Sequence, residues 1–138
     1  MLLSPDVGTA LQDLGVAVRY HSSLTDRARE LAILQVAAKW DCAFERYAHE
    51  AVGRRVGLAQ HEILAVRDGT PLELDDPFER SAAAFVAALL DGGNIGTDFY
   101  EDCRAALGDC ALFELTTLVG YYATLALQLR VFDVSVPG

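Results

Sequence analysis

The chain has 138 residues, with twenty acidic side chains against eleven basic ones and a net charge of −9. That length suits one domain with a core of its own. The charge argues against nucleic acid and anionic membranes as partners, because both require cationic surface.

Hydrophobic residues make up 52% of the chain, and the mean hydropathy of +0.22 is high for a small protein. Surplus apolar surface usually finds a partner subunit, so a homo-oligomer is expected. The opening MLLSPDVGTA lacks the pattern of a signal peptide. The most apolar run, Leu115 to Leu127, falls short of the roughly twenty residues a bilayer span needs. A cytoplasmic location without membrane contact follows as the expectation. Three cysteines do not make a disulfide scaffold, and Cys103 and Cys110 read as small core residues.

Taken in order, Ser4-Pro5-Asp6 opens a helix carrying Val7, Leu11, Leu14 and Val18. Arg19 to Ser23 is a connector. Thr25 caps the next helix, with Asp26 in its first turn. Leu31, Leu34 and Ala38 mark one side, while Ile33, Val36, Ala37 and Trp40 widen the apolar face. No Gly or Pro interrupts before Gly53, so pattern alone draws one very long helix. A break is expected inside it, with Asp41 as an internal N-cap. That break puts Cys42 in a first helical turn, where a thiolate is favoured.

Gly57 suits a left-handed stop. Ala59 to Arg67 is a short helix, followed by a turn at Gly69-Thr70-Pro71. Asp76-Pro77-Phe78-Glu79 fits a capping box opening a helix to Leu90, which Asp91-Gly92-Gly93 ends. Gly96-Thr97-Asp98 opens another helix, ended by Gly108. Asp109 caps the last helix, from Cys110 to about Val131. Gly120 inside it costs roughly 1 kcal/mol relative to Ala, which points to the close passage of another helix. The tail VFDVSVPG reads as extended. No segment alternates like a strand. The fold class is all-α, a single domain over residues 1–138 with six or seven helices.

Cys42, Glu45 and His49 are spaced to share one helix face. A thiol, a carboxylate and an imidazole supply a nucleophile, a second proton carrier and a base near neutral pH. The stripe continues through Ala38 and Val52 and so faces inward, where polar groups need partners. The purely structural alternative is a hydrogen-bonded Glu–His pair beside a small buried Cys. Glu45 and His49 also offer two metal positions. His21 and His61 lie in other segments, so no metal is expected.

The run from Leu24 to Leu34, LTDRARELAIL, is followed by Cys42, Glu45, His49, Gly57-Leu58 and Glu62-Ile63. This ordered set resembles the carboxymuconolactone decarboxylase family, which includes proteins of the alkyl hydroperoxidase D (AhpD) type. The closing LFELTTLVGYYATLALQLRVFDVSVP is similar to the family's last helix and tail. The resemblance implies an all-helical AhpD-like fold that assembles into trimers or hexamers, with a helix break just before Cys42. Peroxidatic members of the family place an acid twelve residues before a Cys-x-x-Cys pair and a His four residues after its second Cys. Glu30 then matches the acid, Cys42 the first Cys and His49 the His. Glu45 stands where the peroxidatic Cys belongs. A two-thiol relay needs that second thiol, so the chain is more similar to members without the pair, the decarboxylase branch among them.

The activity implied is acid–base chemistry on a small carbonyl, lactone or carboxylate metabolite, with no cofactor. His49 would deliver a proton, Glu45 would set its tautomer and Glu30 would relay protons from the neighbouring helix. Tyr121 and Tyr122 are candidate donors to developing negative charge, and Trp40 is a third candidate substrate-binding residue. Arg27, Arg29 and Arg46 are carboxylate holders or surface salt bridges. Two alternatives stand beside this reading. One is a Cys42-dependent alkyl hydroperoxidase of peroxiredoxin type. The other is a non-catalytic helical oligomer that binds a ligand or partner.

Overall fold

The computed structural model describes residues 3–133, which form seven helices and no strand. These are α1 (Pro5–Tyr20), α2 (Asp26–Lys39), α3 (Ala43–Arg55), α4 (Gln60–Asp68), α5 (Pro77–Leu90), α6 (Thr97–Leu107) and α7 (Asp109–Val131). Val131 closes α7 and a turn follows it, so that part of the tail is not extended. The remainder of the expected extended tail, 134–138, lies outside the described residues.

α2 is the axis of the fold. Its N-cap, Thr25, accepts a hydrogen bond from the Ala28 N–H at 3.2 Å. Ala28, Leu31, Ala32, Ile33, Leu34, Val36 and Ala37 are all buried. A helix apolar on every side must be enclosed on every side, and α2 packs against α3, α4, α5 and α7. The larger core joins α2 to Phe85 and Val86 of α5, Cys103 of α6, and Leu112, Leu115, Leu118, Tyr121 and Tyr122 of α7. A smaller one gathers Leu31, Leu34, Leu58, Ile63, Val66 and Leu74. By length and composition α7 passes as a membrane span, yet its buried face is part of the larger core.

The break before Cys42 is present, but Asp41 does not cap α3. Asp41 adopts a left-handed backbone with φ 48°. Its N–H reaches the Ala38 carbonyl at 3.2 Å, and the Cys42 N–H reaches the Ala37 carbonyl at 2.8 Å. This pair of bonds closes α2 as a Schellman motif. Asp is one of the few non-glycine residues that enter the left-handed region without heavy strain. Cys42 is therefore the N-cap of α3. The same closure recurs at the end of α3, with Gly57 at φ 100° and the Leu58 N–H on the Gly53 carbonyl at 2.9 Å.

Other local expectations are corrected. Asp76 caps α5 by accepting from the Phe78 and Glu79 N–H groups at 2.7 and 3.3 Å, but Glu79 does not complete a capping box. Its carboxylate is held by Arg27 instead, at 2.9 Å. Asp109 is the first residue of α7, with Gly108 as N-cap, and it pairs with Arg104 at 3.0 Å. Cys103 is buried as expected, whereas Cys110 is exposed beside Ser23 and Glu114. Gly120 faces open space, so no helix of this chain passes it closely.

The close passage is at Gly15. A Cβ there would lie 2.2 Å from the Tyr121 hydroxyl oxygen and 2.6 Å from its ring. Tyr121 is buried, so its ring has little room to retreat. Gly15→Ala is expected to destabilise the fold by about 1–3 kcal/mol in urea titration, even though Ala is the better helix former by roughly 1 kcal/mol. An unchanged or raised midpoint would show that the α1–α7 contact is loose.

Candidate active site

The α2–α3 pair brings three charged side chains into the interior. Glu30 comes from α2, and Glu45 and His49 from successive turns of α3. They are 1%, 7% and 8% exposed. His49 Nδ1 lies 2.7 Å from Glu30 Oε1, and His49 Nε2 lies 3.3 Å from Glu45 Oε2. The imidazole is thus held between two carboxylates. Glu30 is held again on its other oxygen, which accepts from Arg29 Nε at 2.8 Å. Arg29 is fixed by Asp26 at 2.9 Å and by the Arg19 carbonyl at 3.2 Å.

This setting decides the charge of His49. Burial alone pushes an imidazole toward the neutral form. Here the hydrogen bonds to Glu30 and Glu45, with the attraction of both carboxylates, outweigh burial and lift the pKa from 6.5 to about 9. At neutral pH the ring is an imidazolium that donates from Nδ1 to Glu30 and holds Nε2 in ion-pair contact with Glu45. The cluster Glu30, Glu45, His49 and Arg29 carries no net charge, which is how buried ions are tolerated.

Tyr122 of α7 meets His49 edge-on, with 5.4 Å between ring centroids, and Tyr121 meets Tyr122 at 4.9 Å. Burial pushes both phenols above their usual range. The Tyr122 hydroxyl is buried without a hydrogen-bond partner among the described residues.

Cys42 is the N-cap of α3, with extended backbone, φ −92° and ψ 93°, and Glu45 stands at the third helical position after it. Cys42 lines a cleft of about 190 Å³ with Trp40, Phe44, Ala126, Leu129 and Arg130. Glu30, Glu45 and His49 do not line that cleft. The acids and the ring meet beside Tyr122, and Cys42 and Trp40 line this cleft. Arg27, Arg29 and Arg46 are each engaged by carboxylates of this chain.

One residue escaped the sequence reading, and one contact of a residue it named. Arg29 meets Asp26 at i, i+3 spacing, but its bond to the adjacent Glu30 follows no spacing rule. Arg130 donates to the Trp40 carbonyl across ninety positions. Its one sequence signal is that it is the single cation of α7, in the last turn. Among the described residues, no group of three or more His, Cys, Asp or Glu is arranged to hold a metal ion.

The model of the carboxymuconolactone decarboxylase family matches residues 5–89. The chain belongs to that family. The match covers α1 to α5, including Glu30, Cys42, Glu45 and His49. The whole fold is similar to the crystal structure of a protein of unknown function from Agrobacterium tumefaciens, described as a candidate antioxidant defence protein AhpD. The TM-score is 0.84 and the identity 23%, over 99% of this chain and 94% of that one. No curated protein matches the chain. Membership of the family supports a function of the decarboxylase or antioxidant type.

Proposed function

We propose that this family member is an acid–base enzyme of the decarboxylase type, acting on a small carbonyl, lactone or carboxylate metabolite. The observation that carries this reading is the imidazolium of His49 held between Glu30 and Glu45. Loss of carbon dioxide breaks a carbon–carbon bond and leaves its electron pair on the substrate as an enolate-like carbanion. That carbon then needs a proton, and a charged imidazole is a source of one.

The proton leaves by way of Glu45. Both ring nitrogens are occupied, so His49 reaches a substrate only through a neighbour. The contact to Glu45 is the longer of the two, 3.3 Å against 2.7 Å. Glu30, gripped by both Arg29 and His49, anchors the ring. Tyr122 stands beside it with an unused donor for negative charge on the substrate.

The test is release of labelled carbon dioxide from a panel of small ¹³C-carboxylates bearing a β-carbonyl or lactone. Glu45→Gln and His49→Gln should each slow release by about 10²-fold. Full rates in both relay variants would end the proposal. The alternative is favoured by one observation: the Cys42 thiol stands at the start of α3 and lines a cleft. Peroxide consumption that disappears in Cys42→Ser would move the function to that class.

The reading is of a cytoplasmic homo-oligomer, a trimer or hexamer. Free cysteines fit a reducing compartment. Leu3, Val7, Phe113, Leu127, Val131 and Phe132 are exposed along α1 and α7 and support burial against further copies. Light scattering at micromolar concentration should return a multiple of the 14.9 kDa chain mass; a monomer mass would refute the assembly.

A further inference from the structure

The proposed chemistry requires a place for the substrate, and none of the three relay groups lines the cleft that Cys42 opens on. We infer that this cleft, at the α2–α3 elbow, is a carboxylate-binding subsite for a small monoanionic metabolite, with Arg130 as the residue that recognises the anion. This rests on the acid–base reading given above.

Four observations converge. The cleft encloses about 190 Å³, below the usual range for drug-sized ligands, and suits a molecule of about ten heavy atoms or fewer. Its walls are part apolar, from Trp40, Phe44, Ala126 and Leu129, and part cationic, from Arg130. The Arg130 guanidinium is anchored through Nη2 on the Trp40 carbonyl. Nη1 and Nε have no partner among the described residues and remain for a planar carboxylate, which a guanidinium fits in bidentate fashion.

The second source of positive potential is α3. Its first turn has no side-chain cap, and Ala43 and Phe44, whose N–H groups lack intrahelical acceptors, line the same cleft. The third observation is Cys42, a thiol 8% exposed with no hydrogen-bond partner, on that lining. Of the two carboxylates at the cleft, Asp41 pairs with Arg46 at 2.8 Å and is also attracted to Arg130, and Asp133 opposes an anion.

The fourth is the link to the relay. Cys42 and Glu45 bracket one turn of α3, and Ala126 lies one turn beyond Tyr122 on α7. A helical turn rises about 5 Å. The cleft thus adjoins, along both helices, the turns that carry Glu45 and Tyr122.

Trp40 is the only tryptophan of the chain, so its fluorescence reports this cleft. The probe is 4-oxopentanoate, a small keto acid, against its neutral amide. Titration of the full chain should give a saturable change with the acid and at least tenfold weaker binding of the amide. Arg130→Gln should bind the acid at least tenfold more weakly, and Arg130→Lys should recover part of that loss. Bound acid should also slow alkylation of Cys42 by iodoacetamide, followed by mass spectrometry of the Cys42 peptide. That readout uses the native chain and does not depend on the variants folding. No saturable fluorescence change, or equal affinity for acid and amide, overturns the subsite. The chemistry fails separately: if the acid binds as expected but Glu45→Gln and His49→Gln still release carbon dioxide at full rate, the subsite stands and the relay does not.

Discussion

Arg27→Met should lower the unfolding free energy by about 1–3 kcal/mol, the cost of leaving hydrogen-bonded charged groups without their partner. Arg27 begins on α2 and spreads its guanidinium over two other helices. Nε and Nη2 meet Glu79 of α5 at 2.9 and 3.1 Å, and Nη2 meets Glu62 of α4 at 2.7 Å. Nη1 donates to the Gly57 carbonyl in the turn between α3 and α4. Both carboxylates are buried, at 7% and 6% exposure. Methionine would keep the aliphatic stem and remove every one of these donors. Two carboxylates would then sit in the interior without a cation, and α4 and α5 would lose their common tie to α2. Glu62 keeps one role regardless, accepting from the Ala59 N–H at 2.8 Å at the start of α4. Urea titration of Arg27→Met, and of Arg27→Met with Glu62→Gln and Glu79→Gln, separates the effects. The triple variant should recover part of the loss, because its buried groups are neutral. A single-variant loss under about 1 kcal/mol would place the cluster among surface pairs of little consequence.

The same cluster shows where sequence patterns run out. Asp76-Pro77-Phe78-Glu79 has the spacing of a capping box, and the Asp76 half is present. Spacing cannot tell whether Glu79 turns back to its own helix or outward to a cation fifty-two positions away. Helix starts at Thr25 and Asp76, and the stop at Gly57, were legible because the relevant chemistry is local. The stop at Asp41 was legible only as a break. Asp is a good N-cap and also a tolerable left-handed residue, and which role it takes depends on the carbonyls of Ala37 and Ala38.

The site divides in the same way. Glu45 and His49 lie on true helical backbone, so their spacing foretold their contact. Cys42, as N-cap, stands just outside that helical backbone. Glu30 reached the site through family resemblance, since no spacing rule connects residues nineteen apart on different helices. The Arg29 bond to the Arg19 carbonyl and the Arg130 bond to the Trp40 carbonyl are tertiary facts, set by how α1 and α7 close on the α2–α3 elbow.

The charge state of His49 should make the fold weaken as pH rises from 6.5 to 9.5. Burial opposes the imidazolium, and the two carboxylates overcome it, so the folded pKa of about 9 lies above the ordinary 6.5. Below pH 6.5 the ring is protonated in both folded and unfolded chains, and the full stabilisation is present. Between 6.5 and 9 the unfolded chain releases its proton while the folded chain retains it, so stability declines. Above 9 the contribution is gone. The total is about 3 kcal/mol, or roughly 10 °C in Tm for a domain of this size. Thiols titrate in the same window, and the Cys103 thiol is pushed up by burial, so a declining curve alone is not decisive. The comparison with His49→Gln isolates the ring: Gln has no proton to lose, and its curve should be flatter by that amount. NMR of the His49 ring should show a midpoint near 9. A midpoint near 6.5, with parallel stability curves for the two chains, would mean that Glu30 and Glu45 do not hold a cation between them. His49 would then enter any reaction as a base, not as the acid that a decarboxylated intermediate requires.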